Sequence, residues 1–131
     1  MMTQLPLTSI FSFCFAVLIF YLVLQVVRCR RKFRVGYGDG GHDELRHAIS
    51  AHSNAIETIP LALIILLISE LNAVNSVLLI SASVLFLLAR IIHVIGLMSS
   101  LGTSFGRTYG TLASWLFIIF LALVNLFYAF Q

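Results

Sequence analysis

Charge is what this chain has least of. Of its 131 residues only 10% are Asp, Glu, Lys or Arg, against 60% hydrophobic, where a soluble domain carries about 25% charged residues. That shortage excludes an ordinary water-soluble enzyme. Proline is also scarce, with two residues, so long helices can run with few breaks. The apolar runs show no alternation of apolar and polar residues, which excludes a membrane β-barrel. Only two cysteines occur, Cys14 and Cys29. On one helix they would lie about 22 Å apart, too far to pair within a chain, and Cys29 reads as a plain thiol at the membrane edge. The glycines of Arg34-Val35-Gly36-Tyr37-Gly38-Asp39-Gly40-Gly41 have no strand before them and no Gly-Lys-Ser/Thr after them. They mark a turn-rich connector, not a phosphate loop.

What remains is apolar sequence in four runs. An all-α integral membrane protein is expected, residues 1–131 forming one membrane domain as a four-transmembrane-helix bundle. The spans fall at about 5–27, 44–71, 76–97 and 109–130, each near the roughly 20 residues that cross a bilayer. The first run lacks a basic segment ahead of it and is followed by a basic cluster, so it reads as an uncleaved span. Pro6 suits its first turn. Asp43 is the expected N-cap of the second helix, and Pro60 is expected to kink that helix or free a carbonyl near Ile56. Met98 to Gly106 reads as a loop.

The few cations are unevenly placed. Arg28, Arg30, Arg31, Lys32, Arg34 and Arg46 flank the first connection and Arg107 the third, while the N-terminal tail and Glu70 to Asn75 carry none. The positive-inside bias then puts the first and third loops in the cytoplasm and both termini outside. A basic run directly after an apolar span marks orientation and lipid headgroups, and no nucleic-acid partner is expected.

Within the second run, His47, Ser50, Asn54 and Glu57 are spaced three, four and three apart, so a helix stacks them on one face. An ionisable group in hydrocarbon costs about 2.5–3.5 kcal/mol even on the lenient insertion scale. Such groups persist where they face protein, water or a polar ligand, so the stripe predicts an interior polar site. Up-and-down connectivity brings four polar sets to one end: Arg28, Arg30 and Arg31; Arg46 through Glu57; Arg90 and His93; and Arg107, Thr108 and Tyr109. This describes a basic pocket with one carboxylate and one amide. It suits a small ligand with carboxylates and an ammonium, since arginines pair with carboxylates as forks. Glutathione has those groups and a thiol, and an adjacent guanidinium lowers a thiol pKa from about 8.5. Arg90 is expected to pair with Glu57 and hold two helices together, with Arg46 as a further pocket residue. His47 and His52 have the wrong spacing for joint metal ligation on a helix, and no metal is expected.

Two motifs resemble the MAPEG family, the membrane-associated proteins of eicosanoid and glutathione metabolism. Asn54-Ala55-Ile56-Glu57-Thr58-Ile59-Pro60 is similar to its helix-two motif, and Arg90-Ile91-Ile92-His93-Val94-Ile95-Gly96 to its helix-three motif. The Arg-Val-x-Tyr-Gly-Asp-Gly-Gly loop is like that of a small bacterial branch. The resemblance implies a homotrimer in a bacterial inner membrane, with glutathione as co-substrate bound between subunits on the cytoplasmic side. By motif, Asn54, Glu57 and His93 would contact glutathione, Arg30 or Arg31 would reach it from the adjacent subunit, and Arg107 would be the catalytic residue that stabilises the thiolate. Many members have an arginine where this chain has Ser50, and many a tyrosine where it has Leu97. The expected activity is glutathione transfer or peroxidation, adding the thiolate to a lipophilic electrophile from the bilayer. The alternative is a non-enzymatic binding or scaffold protein on the same fold.

Overall fold

A computed structural model of the chain describes residues 5–99 and 104–130. Four helices follow one another: α1 (Pro6–Phe33), α2 (Asp43–Leu71), α3 (Ser76–Ser99) and α4 (Phe105–Tyr128). Each is long and apolar enough to cross a membrane. Helix α1 outruns its apolar run because Arg30, Arg31 and Lys32 occupy its last turn, where cations suit the negative end of the helix dipole. It stops at Arg34, whose left-handed backbone (φ 55°) lets its N–H reach the Arg30 carbonyl. Helix α4 starts at Phe105, four positions before the expected Tyr109, because the Ser104 side chain accepts from the Arg107 N–H and caps the first turn. Of the expected Met98–Gly106 loop, residues 100–103 lie outside the described residues.

The N-cap of α2 is His42, not Asp43. The His42 ring stacks on Phe33 at 4.1 Å between centroids, which fixes the chain's entry into α2. Asp43 and Glu44 then fall in the first turn, where acidic groups meet the positive end of the dipole. Pro60 lies on an exposed position and α2 runs through it as one helix. The missing N–H leaves only the Ile56 carbonyl without its helical partner.

Helix α2 is the centre of the bundle. Its buried residues Leu45, Ala48, Ala51, Ala55, Ile59, Ala62, Leu66 and Ser69 recur every three or four positions. The alanines let neighbouring backbones come close. Helix α2 touches all three other helices, whereas α1 and α4 do not meet. Between the helices Phe86 packs on Phe15 at 5.2 Å and on Phe117 at 4.5 Å.

Two polar ties hold the end away from the first loop. The Glu70 carboxylate accepts from the N–H groups of Leu7 (2.9 Å) and Thr8 (2.8 Å). These are orphan donors of the first turn of α1, and an anion is favoured there. Asn125 donates its amide to the Ile65 carbonyl at 3.0 Å, joining α4 to α2.

At the opposite end α3 and α4 come together through glycine. A Cβ on Gly96 would sit 2.6 Å from the Arg107 nitrogen, and one on Gly110 would sit 2.6 Å from His93 Cβ and 2.8 Å from the Ala89 carbonyl oxygen. Gly106 meets the Ile92 carbonyl in the same way, at 2.8 Å. The G-x-x-x-G pair Gly106 and Gly110 therefore faces α3 within the chain. Gly110→Ala is expected to destabilise the detergent-solubilised protein by about 1–3 kcal/mol through overpacking. Gly36→Ala, with nothing within 4 Å of the added carbon, should leave thermal unfolding unchanged; equal midpoints for the two variants would contradict the seam.

Candidate functional site

The polar stripe of α2 lies beside its buried face, not on it. His47 and Asn54 are half-buried, and Ser50 and Glu57 are exposed. Asn54 is turned toward α3, where its Oδ1 accepts from the Arg90 guanidinium at 2.7 Å. Arg90 is 1% exposed, and its Nε has no partner. The expected Arg90–Glu57 ion pair does not form: among the described residues no carboxylate lies within 4.0 Å of Arg90. Position decides this, because Glu57 sits one helical turn beyond Asn54 and further round α2, away from α3.

One turn from Arg90 on α3 is His93, also buried. Its Nδ1 lies 3.1 Å from the Arg107 carbonyl oxygen and 3.2 Å from the Thr111 hydroxyl, which itself donates to that carbonyl at 2.8 Å. A carbonyl only accepts, so Nδ1 carries the hydrogen. The lone pair of Nε2 on the neutral ring is then buried without a partner. The glycine seam makes this contact possible, since it seats the first turns of α4 against His93.

Glu44 pairs with Lys32 at the first-loop end, and Asn54 lies about 15 Å further along α2 at about 1.5 Å per residue. Glu57 is another turn on and is exposed in the single chain.

The other expected pocket residues lie elsewhere. Arg30 donates to the carbonyls of Val35 and Gly38 (3.4 and 3.2 Å). Arg31 is exposed. Arg46 pairs with Asp39 at 2.7 Å and Asp43 at 3.2 Å. The hydrogen bond from Arg46, with that of the Gly41 N–H, holds the Asp39 carboxyl below the usual carboxylate range. This loop clasp is intact above about pH 4 and is lost as pH falls through the lowered value. The Arg107 side chain is exposed, and only its backbone takes part in the buried cluster. The structure thus brings Asn54, Arg90, His93 and the backbone of Arg107 together, and leaves Arg30, Arg31, Arg46 and Glu57 outside. Among the described residues no three His, Cys, Asp or Glu side chains converge on a metal position.

Sequence reasoning missed Thr111 as a partner of His93. Its spacing of four after Arg107 was a readable signal, because a helical Thr bonds the carbonyl four residues back. It also missed Glu70, which no helical stripe singled out.

Four long apolar helices in one bundle, with a buried arginine beside an Asn-x-x-Glu stripe, define an all-α integral membrane protein. The chain belongs to the MAPEG family, which it matches over residues 8–127. It is similar to the Inner membrane protein YecN of Escherichia coli (strain K12), 33% identical over 121 residues, or 92% of this chain and 91% of that protein. A protein of the same name from a second Escherichia coli strain matches with the same identity and coverage.

Removing the amide of Asn54 leaves a buried guanidinium with no partner. Asn54→Ala is expected to cost about 1.5–3 kcal/mol of stability, the usual range for a hydrogen bond to a charged group. Glu57→Gln should cost nothing measurable in dissociated single chains. Denaturation of both variants in a dissociating detergent checks this, and the reverse order would restore the Glu57–Arg90 pair.

Proposed function

We propose that the protein is a membrane glutathione transferase or peroxidase that adds the glutathione thiolate to lipophilic electrophiles arriving from the bilayer. The observation that carries this reading is Arg90, a fully buried arginine whose one hydrogen-bond partner among the described residues is an amide. A buried cation without a counter-charge costs several kcal/mol, and an anionic ligand at that place would supply the charge. The carboxylates of glutathione have the right sign and geometry. Asn54 and His93 lie at the same place, and Nε2 of His93 can accept from a ligand N–H.

Glu57 supports assembly into a homotrimer. Facing hydrocarbon, it would cost about 2.5–3.5 kcal/mol; facing a second subunit and a bound ammonium, it would be paired. Arg30 and Arg31 of a neighbour would then complete the pocket, with the first and third loops in the cytoplasm and the inner membrane as its location. Arg107, exposed at the start of α4, is free to approach the sulfur. Its charge favours the thiolate, the nucleophilic form.

Arg107→Ala is expected to lower turnover by about 10²-fold or more, the scale of losing one charge-stabilising group. Assembly and most of the glutathione affinity should stay intact. Calorimetry with glutathione, read together with ultraviolet thiolate absorbance, is the check. Absence of binding at millimolar glutathione in the wild-type protein would favour the scaffold reading, with Ser50 and Leu97 as its cause.

A further inference from the structure

The connection from Arg34 to Gly41 is rich in glycine, yet it is tied down at both ends. The Val35 N–H donates to the Arg30 carbonyl at 3.1 Å, and the His42 N–H to the Asp39 carbonyl at 3.0 Å. The Asp39 carboxylate accepts from the Gly41 N–H at 3.0 Å and from Arg46 Nε at 2.7 Å. Gly38 and Gly40 lie at φ 65° and 56°, where an L side chain is strained. A Cβ on Gly40 would also sit 2.6 Å from the Val35 side chain. Val35 in turn packs on the small core of Cys29, Leu45 and Ala48. Glycine here serves a fixed turn.

That turn folds back on Arg30. The Nη1 group of Arg30 donates to the carbonyls of Gly38 at 3.2 Å and Val35 at 3.4 Å. Its Nε and Nη2 donate to nothing among the described residues, and neither is enclosed. Among the described residues no carboxylate lies within 4.0 Å of Arg30. Carbonyls are neutral, so the side chain is held while its full charge stays unpaired. A guanidinium is a rigid planar fork of N–H donors. Gripping Nη1 leaves the opposite edge, the parallel N–H groups of Nε and Nη2, and that edge matches a carboxylate. A side chain already held loses less rotamer freedom when a ligand arrives. Arg31, the next residue, is exposed and has no such grip among the described residues.

We infer that the glycine loop is a positioning device for Arg30. Gly38, Asp39 and Gly40 hold the loop so that its carbonyls grip one amino group and offer the opposite edge as a preset fork for a ligand carboxylate. That the ligand is glutathione in a neighbouring subunit's pocket rests on the transferase reading above; the grip on Arg30 does not. Asp39 touches no ligand and acts through Arg30. Its pair with Arg46 then has a purpose: a cation outside the pocket keeps in place the loop that aims another. Arg30 contributes binding and not chemistry, so the loop sets the affinity for the carboxylate and not the rate of the addition.

Nitrogen-15 labelling of the arginines in the detergent-solubilised protein reads the grip directly, with Arg30→Lys assigning the signals. A gripped guanidinium cannot rotate about its Nε–Cζ bond, so Arg30 should show separate Nη1 and Nη2 signals in the wild type. They should merge in Asp39→Ala and in Gly40→Val, a second variant that displaces Val35. Merged signals in the wild type, or separate ones in both variants, overturn the inference. Calorimetry with glutathione reads the consequence. Asp39→Ala should weaken binding by about tenfold or more, the scale of one lost hydrogen bond to a charged group, and the loss should fall on KM and not on kcat. In an Arg30→Ala background, adding Asp39→Ala should cost nothing further. Equal losses in both backgrounds would make Asp39 a structural residue and overturn its role. A wild-type protein that binds no glutathione fails the transferase reading alone. The fork is then read by titrating succinate, which should shift the Arg30 Nε signal in the wild type and not in Asp39→Ala; a shift in neither overturns the fork.

Discussion

A guanidinium removed from water loses a hydration free energy that one amide hydrogen bond does not return. Arg90 is in that condition, and much of the bundle can be understood from it. Asn54 must face α3 to meet the charge, which fixes how α2 is rotated about its axis. That rotation places Ala48, Ala51, Ala55 and Ala62 against the neighbouring helices and turns Ser50 and Glu57 outward. His93, on the same face of α3 one turn on, must then find a partner other than Arg90. It finds the Arg107 carbonyl, which is within reach because glycines bring α4 against α3.

The fold was legible because composition constrains it so strongly. Hydrocarbon demands internally satisfied backbone, and four apolar runs of the right length leave one helical solution. Helix ends were less legible. The start of α4 depended on a cap by Ser104, and the entry into α2 on a ring stacking with Phe33; both are choices among several polar residues in short loops. The spacing on α2 groups His47, Ser50, Asn54 and Glu57 by face, but Ser50 and Glu57 are exposed in the single chain, and periodicity cannot say which residue on a face points at which neighbour. Asn54 and Glu57 lie about 60° apart around the helix, and that angle separates a partner of Arg90 from a residue turned outward. The charge of Arg46 suits a pocket, yet Asp39 in the glycine loop and Asp43 pair with it instead. A loop that returns on its own helix leaves no trace in helical periodicity.

The glycine seam and the alanine stripe do different work. The alanines of α2 allow three neighbours to pack around one helix, so the core is thin and most large apolar side chains face outward. The seam draws α3 and α4 together only at the end near the polar site. Further along, the Phe86–Phe117 stack takes over and the two helices leave an apolar groove between them.

The Glu70 clasp bears on how the chain is assembled. It joins the last turn of α2 to the first turn of α1, residues 62 and 63 positions apart in sequence. Helix α1 otherwise leans almost wholly on α2, having no contact with α4 and little with α3. The loop end of this hairpin, where Lys32 meets Glu44 and Phe33 stacks on His42, can form as soon as α2 begins. The carboxylate of Glu70 comes from the last turn of α2, so it can latch the open end of the hairpin only when α2 is complete.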